Sequence, residues 1–268
     1  MATVAGEDAR VCDSGAIAEE TGWTGYHNEK GRRPVMSKRT PTVIVFDVNE
    51  TLSNTLPLAE RFVEVGAAGS LADVWFAALL RDGFALAAAG GNAQFSTIGA
   101  HLARELLRDV TLNRRLDQAV NHIMAAFATM NVHPDVADGI HALKRLGLRL
   151  ITLSNGSASI ARTLLAREEL DGQFEAMLSV DDAPAWKPTR SAYDYAANFC
   201  GAPPADILLV AVHPWDVHGA ARAGLQTGWL NRDDAVYPDY FEAPHHTFRT
   251  LSELAVEIAV DKGPIPHG

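Results

Sequence analysis

The stretch "VIVFDVNETLSN", residues 43–54, decides the fold. Val43 to Phe46 form an unbroken apolar run, and Asp47 follows at the point where it ends. A short apolar run bounded by turn-forming residues reads as a fully buried strand. Such strands belong to parallel sheets covered on both faces. Asp47, Asn49, Glu50 and Thr51 then fall at the carboxyl end of that strand, which is where open parallel sheets bind their ligands.

Working outward, the same pattern returns. "LRLITLSN" (148–155), "ILLVAVHPWD" (207–216) and the shorter "TGWLN" (227–231) read as further strands. Between them "VADGIHALKRLG", "SASIARTLLAREEL" and "TRSAYDYAANFCG" carry apolar residues at helical spacing, and Gly147, Gly201 and Gly224 stand where helices stop. Alternating strands and helices predict the α/β class, with a Rossmann-like parallel-sheet core. Residues 58–130 break the alternation: they are rich in Ala and Leu, helical in spacing and without a strand, and Pro134 restarts the earlier pattern. The expected organisation is a leader over 1–40, a core over 41–57 and 131–260, an inserted helical cap over 58–130, and a tail over 261–268. Three strand ends, at Asp47, at Ser154 with Asn155, and at His213 through Asp216, then meet on one edge of the sheet.

Composition narrows the function classes. The chain has 268 residues, 47% hydrophobic and 21% charged, enough for a sizeable core. A net charge of -10 lacks the basic footprint that nucleic acid or an anionic membrane surface requires. No apolar run is long enough to span a bilayer. Two cysteines, Cys12 and Cys200, offer no disulfide framework, so a cytoplasmic setting is expected.

The order Asp47…Thr51, Ser154-Asn155-Gly156, Lys187-Pro188, Asp216 resembles the haloacid dehalogenase superfamily over residues 42–232. Its L-2-haloacid branch is the most similar form, matched by "LSNGS" (153–157), "MLSVDDAPAWKPTRSAY" (177–193) and "WDVHGAARAGLQTGWLNR" (215–232). The resemblance implies that Asp47 is a covalent nucleophile in the hydrolytic release of halide from short 2-haloacids, haloacetates and fluoroacetate among them. Water would be the second substrate, and neither metal nor cofactor would take part. It implies that Lys187 keeps Asp47 ionised, that Asp216 balances Lys187 and helps with the water, and that Tyr193 supports the nucleophile. Thr51, Ser154 and Asn155 would bind carboxylate oxygens of nucleophile or substrate. The wider superfamily is mostly magnesium phosphatases, whose pattern needs a second acid two residues after the nucleophile; here that residue is Asn49, which cannot act as a general acid. Their last motif pairs acidic residues around Mg²⁺, whereas "VAVHPWD" has Asp216 alone. A phosphatase and a degenerate binding protein stay as alternatives.

The branch pattern is broken at several positions. A cap arginine that receives halide in the branch aligns with Phe76; Arg81, further along the same helix, is the nearest substitute or else a solvated surface residue. His213 replaces an asparagine beside Trp215, and Asn49 and Glu50 replace a Tyr-Gly pair in which a glutamate has no evident part. Asn49 is expected to bond substrate or nucleophile. The Ala- and Leu-rich insertion suits a homodimer, and a monomer suits it equally. An imidazole is bulkier than an amide, and with Trp215 it predicts a tight anion pocket, although His213 also reads as a packing change at the sheet edge. On the anion-pocket reading, release of fluoride or chloride from the haloacetates exceeds release of bromide, and a bromide preference in that panel contradicts it.

Overall fold

β1 (Val43–Phe46) lies at the centre of a six-stranded sheet in the computed structural model, which describes residues 39–262. The other strands are β2 (Arg149–Ser154), β3 (Ala176–Ser179), β4 (Ile207–Ala211), β5 (Gln226–Leu230) and β6 (His246–Phe248). All pairings are parallel, in the order β3-β2-β1-β4-β5-β6. The order reverses between β1 and β4, and this switch point is where a crevice forms beyond the strand ends. The sequence reading did not mark β3 and β6. Both are short edge strands, and "HTF" has a polar residue at its middle position. The run "ILLVAVHPWD" is strand only as far as Ala211, because Pro214 opens a helix.

Between β1 and β2 the chain runs through α1 (Pro57–Glu64), α2 (Leu71–Ala88), α3 (Phe95–Leu107), α4 (Leu116–Met124) and a 3-10 turn at Ala125–Ala128. An antiparallel bridge between Ser53 and Val132 ties the two ends of this helical insertion together. Along α2 the buried residues Ala72, Trp75, Leu79 and Gly83 recur at helical spacing. Trp75 donates from Nε1 to the Gly99 carbonyl at 2.8 Å, and a Cβ on Gly99 would crowd its ring. Gly83 performs a similar service for Trp186: any side chain there would run into the indole, whose Nε1 donates to the Ala93 carbonyl at 2.9 Å. Trp186 immediately precedes Lys187, so the insertion grips the segment that carries the lysine.

The remaining helices cover the sheet: α5 (Val136–Arg145), α6 (Ala158–Arg167), α7 (Arg190–Cys200), α8 (Pro214–Ala223) and α9 (Leu251–Lys262). Alternate residues of β1 divide between the two faces, as a two-residue period requires. Val43 and Val45 join a core continuous with Trp75 and Leu79 of the insertion, whereas Ile44 and Phe46 pack with Ile140 of α5 and Leu254 of α9. Gly201 and Gly224 close α7 and α8 in left-handed conformations, at φ 59° and 96°. Helix α9 takes in Asp261 and Lys262, the start of the expected tail; residues 1–38 of the expected leader and 263–268 lie outside the described residues. Among the described residues no helix is long and apolar enough to cross a membrane.

Candidate active site

Asp47 is the residue after β1, and its backbone N–H bonds the Val210 carbonyl of β4 at 3.0 Å, which fixes it at the switch point. Its side chain is nearly enclosed, at 4% exposure. Three donors converge on its carboxylate. Thr51 Oγ1 donates to Oδ2 at 2.7 Å and itself accepts the Val212 N–H at 3.1 Å. Lys187 Nζ donates to Oδ1 at 2.7 Å, and His213 Nδ1 lies 3.2 Å from Oδ2.

Lys187 is fully buried and also bonds Asp216 Oδ2 at 2.6 Å. The other oxygen of Asp216 accepts from Tyr193 Oη at 2.6 Å. Asn155 holds the lysine's backbone from both sides, accepting its N–H at 3.0 Å and donating to its carbonyl at 3.2 Å. Burial opposes ionisation of Asp47, but the nearby charge of Lys187 and the bond from His213 outweigh it and hold the carboxyl well below the usual range. Burial likewise opposes the charge on Lys187, yet Asp216 and Asp47 raise its pKa. For Asp216 burial prevails and its pKa rises, even with Lys187 beside it.

His213 links this cluster to Glu50, whose Oε2 lies 2.7 Å from Nε2. The imidazole is stacked between Phe76 of α2, at 6.3 Å, and Trp215, at 5.0 Å. Burial disfavours its charge, but hydrogen bonds to Asp47 and Glu50 raise its pKa to about 9, so it is an imidazolium at neutral pH. Glu50 itself sits at φ 61°, a left-handed conformation that glycine adopts without strain and glutamate does not. Its backbone is held there by the N–H bond to Ser53 Oγ at 3.2 Å and by His133 Nε2 donating to its carbonyl at 2.9 Å. A strained residue pinned this firmly, with its carboxylate on a site histidine, points to a role for the side chain.

The expected residues fall into four groups. Asp47, Thr51, Lys187, His213, Trp215 and Asp216 come together at one place. Asn155 and Tyr193 are near, but as supports: the amide of Asn155 clamps the backbone of Lys187, and the hydroxyl of Tyr193 bonds Asp216, so neither is aimed at a ligand. Asn49 and Ser154 lie on the β2 side, where Ser154 Oγ accepts the Gly156 N–H at 2.9 Å. Arg81 is not brought to the site. Its side chain is 69% exposed and paired with Asp82 at 2.8 Å, because residue 81 turns away from the helix face that carries Phe76. The anion pocket expected of His213 also differs, since both ring nitrogens are taken by carboxylates. Sequence reasoning gave Glu50 no role and missed Phe84, whose ring meets Trp215 at 5.0 Å. The signal for Glu50 was a glutamate standing in a glycine position.

The cluster does not suit a divalent cation. Hard cations need carboxylate oxygens free to coordinate, whereas each oxygen of Asp47 faces a bonded donor and an ammonium stands between Asp47 and Asp216. Among the described residues, no group of three or more His, Cys, Asp or Glu is placed to hold a metal.

A parallel sheet in this strand order, with a buried carboxylate at its switch point, is the frame of an α/β enzyme. The chain belongs to the haloacid dehalogenase-like hydrolases, whose family model matches residues 41–224. It is similar to haloacetate dehalogenase H-2 of Moraxella sp. (strain B), at 35% identity over 127 residues covering 47% of this chain and 57% of that one. It is also similar to an (S)-2-haloacid dehalogenase of Pseudomonas putida, at 26% identity over 79% of this chain and 94% of that one. Among solved structures, a dehalogenase with intermediate complex superposes with a TM-score of 0.74 at 26% identity, covering 80% of this chain and 96% of that one.

The raised pKa of His213 makes stability depend on pH. A group whose pKa rises on folding stabilises the fold fully below its unfolded value and loses that effect as pH passes its folded value. For His213 the window runs from 6.5 to about 9. Across it the melting temperature of the wild type falls by roughly 5 °C more than that of His213→Asn. Parallel thermal melts at the two ends of the window check this.

Proposed function

We propose that this protein is a hydrolytic 2-haloacid dehalogenase that works through an ester on Asp47. One observation carries the reading: a buried carboxylate held ionised by Lys187 and His213, with an amide at residue 49 where phosphoryl transfer would need an acid. The dehalogenase relatives support it. An oxygen of Asp47 attacks C2 of the acid, the new C–O bond forms, and the carbon–halogen bond breaks with its electron pair leaving on the halide. Halide departs without a proton, so Asn49 is no handicap. Lys187 offsets the mutual repulsion of nucleophile and substrate carboxylate, and Ser154 with Asn49 offers that carboxylate polar partners on the β2 side.

Water then attacks Cγ of the ester. Asp216, fully buried with both oxygens bonded, is poorly placed to receive the water's proton. The Glu50–His213 pair is better placed. Esterification removes the charge of Asp47, so His213 loses one of its two anionic partners and its proton departs, balancing the released halide. Neutral Nδ1 then takes a proton from water while Glu50 holds the Nε2–H. Ester and water become hydroxy acid, ionised Asp47 and protonated His213, which restores the resting ion pair. In this role the charge of Glu50 does not repel the substrate, because it is turned to an imidazolium.

Asp47→Asn releases no halide, and wild-type release persists in EDTA. In a single turnover in ¹⁸O-water with excess protein, the label enters the Asp47 carboxylate before any product; label found directly in the hydroxy acid would refute the ester.

Glu50→Gln retains the first step and slows the second by ~10²-fold, so the intact chain gains the mass of the ester and halide appears as a burst. Glu50→Gly behaves in the same way; above about pH 9, where the ion pair with His213 no longer contributes, it melts at or above the wild-type temperature, since glycine relieves the left-handed strain. Slow halide release with no adduct in either variant would leave Glu50 a structural residue.

A further inference from the structure

On the flank of Asp47 opposite His213, the strand ends open into a cavity of about 210 Å³ between the sheet and the helical insertion. Phe46 pairs with Thr152, so the next steps of the chain carry Val48 and Asn49 alongside Ser154, and all three line the near end of the cavity. Its body is hydrocarbon, formed by Phe95 of α3, Met124 of α4, Phe127 and Ile160 of α6. Exposed Gln94, Ser96 and Asp181 form its mouth. Asn49 is only 8% exposed and faces this space. None of the residues that hold Asp47 ionised lines it.

The cavity thus has a polar throat at Asn49 and Ser154, reached within two residues of Asp47, and an apolar body beyond. That profile complements a molecule with a carboxylate at the reacting carbon and a hydrocarbon group attached to the same carbon. An acetate would leave the body unfilled. A cavity of ~150 Å³ walled by Leu, Ile and Phe takes up benzene, and this one is larger. We infer that the cavity is the binding site for an apolar substituent on C2 of the substrate, so that the preferred substrates are 2-haloacids with a side chain of about four to six carbons, not haloacetates. Asn49 then determines specificity, because a larger residue at the throat would close the entrance. The inference rests on the aspartyl-ester reading and adds the substrate class to it.

Halide release from chloroacetate, racemic 2-chloropropionate and racemic 2-chlorohexanoate tests this. A methylene in a hydrophobic pocket changes kcat/KM by ~10-fold or more. The wild type is therefore expected to favour 2-chlorohexanoate over 2-chloropropionate by at least ~10-fold. Ile160→Trp fills the body of the cavity and is expected to abolish that preference, lowering kcat/KM for 2-chlorohexanoate at least ~10-fold more than for 2-chloropropionate. Ser96→Trp obstructs the same space from an exposed position at its mouth, and gives the same reading if the first variant folds poorly. A flat or falling chain-length profile in the wild type overturns the inference, as does a preference that survives in a folded variant. Absence of halide from every substrate with the wild type would overturn the dehalogenase reading as well.

Discussion

The ammonium of Lys187 stands between the carboxylates of Asp47 and Asp216, and the rest of the site is arranged around that contact. All three groups are almost wholly removed from water. Burying an unpaired charge is prohibitive, and breaking such a pair leaves an uncompensated ion at a cost of roughly 3–5 kcal/mol. The surrounding structure therefore has to keep the three in register. Asn155 does so through the lysine's backbone, Tyr193 through the far oxygen of Asp216, and Thr51 through the far oxygen of Asp47. These supports come from the loops after β1 and β2 and from α7, so the sheet's parallel order brings distant parts of the sequence to one point.

A second cation enters from the β4 side. His213 is charged because it lies between two carboxylates, and it is placed by two aromatic faces, one from α8 and one from the insertion. Stacking on Trp215 at 5.0 Å favours the imidazolium over the neutral ring, as cations on aromatic faces do. The two flanks of Asp47 thus differ in kind. One is ionic and aromatic; the other is a hydrocarbon chamber with polar groups at its neck. A buried carboxylate thus stands between surroundings of opposite polarity.

Much of this was legible in the residues. The apolar runs ending in polar groups gave the parallel sheet and its working edge, because strand burial and strand termination are local properties. Lys187 and Asp216 were legible through their motifs. Edge strands β3 and β6 were not, since a strand with one neighbour needs less apolar character. Arg81 stayed open between a site residue and a solvated one, because a helix position does not say which face turns inward until the packing of Trp75 and Gly83 is known. Glu50 was the hardest. Its meaning depends on a positive φ and on a histidine 163 positions away in sequence, and neither can be read from neighbouring residues.

Trp186 joins two regions that the chain order keeps apart. Its indole is wedged under Gly83, hydrogen-bonded to Ala93 and parallel to the ring of Phe95 at 6.2 Å, while its own carboxyl side continues directly into Lys187. Any sliding of the inserted helices across the sheet would therefore tug on the lysine and change how strongly the Asp47 carboxylate is stabilised. The ionisation of Asp47 is in this sense tied to the seating of the helices, through the indole on one side and the ammonium on the other.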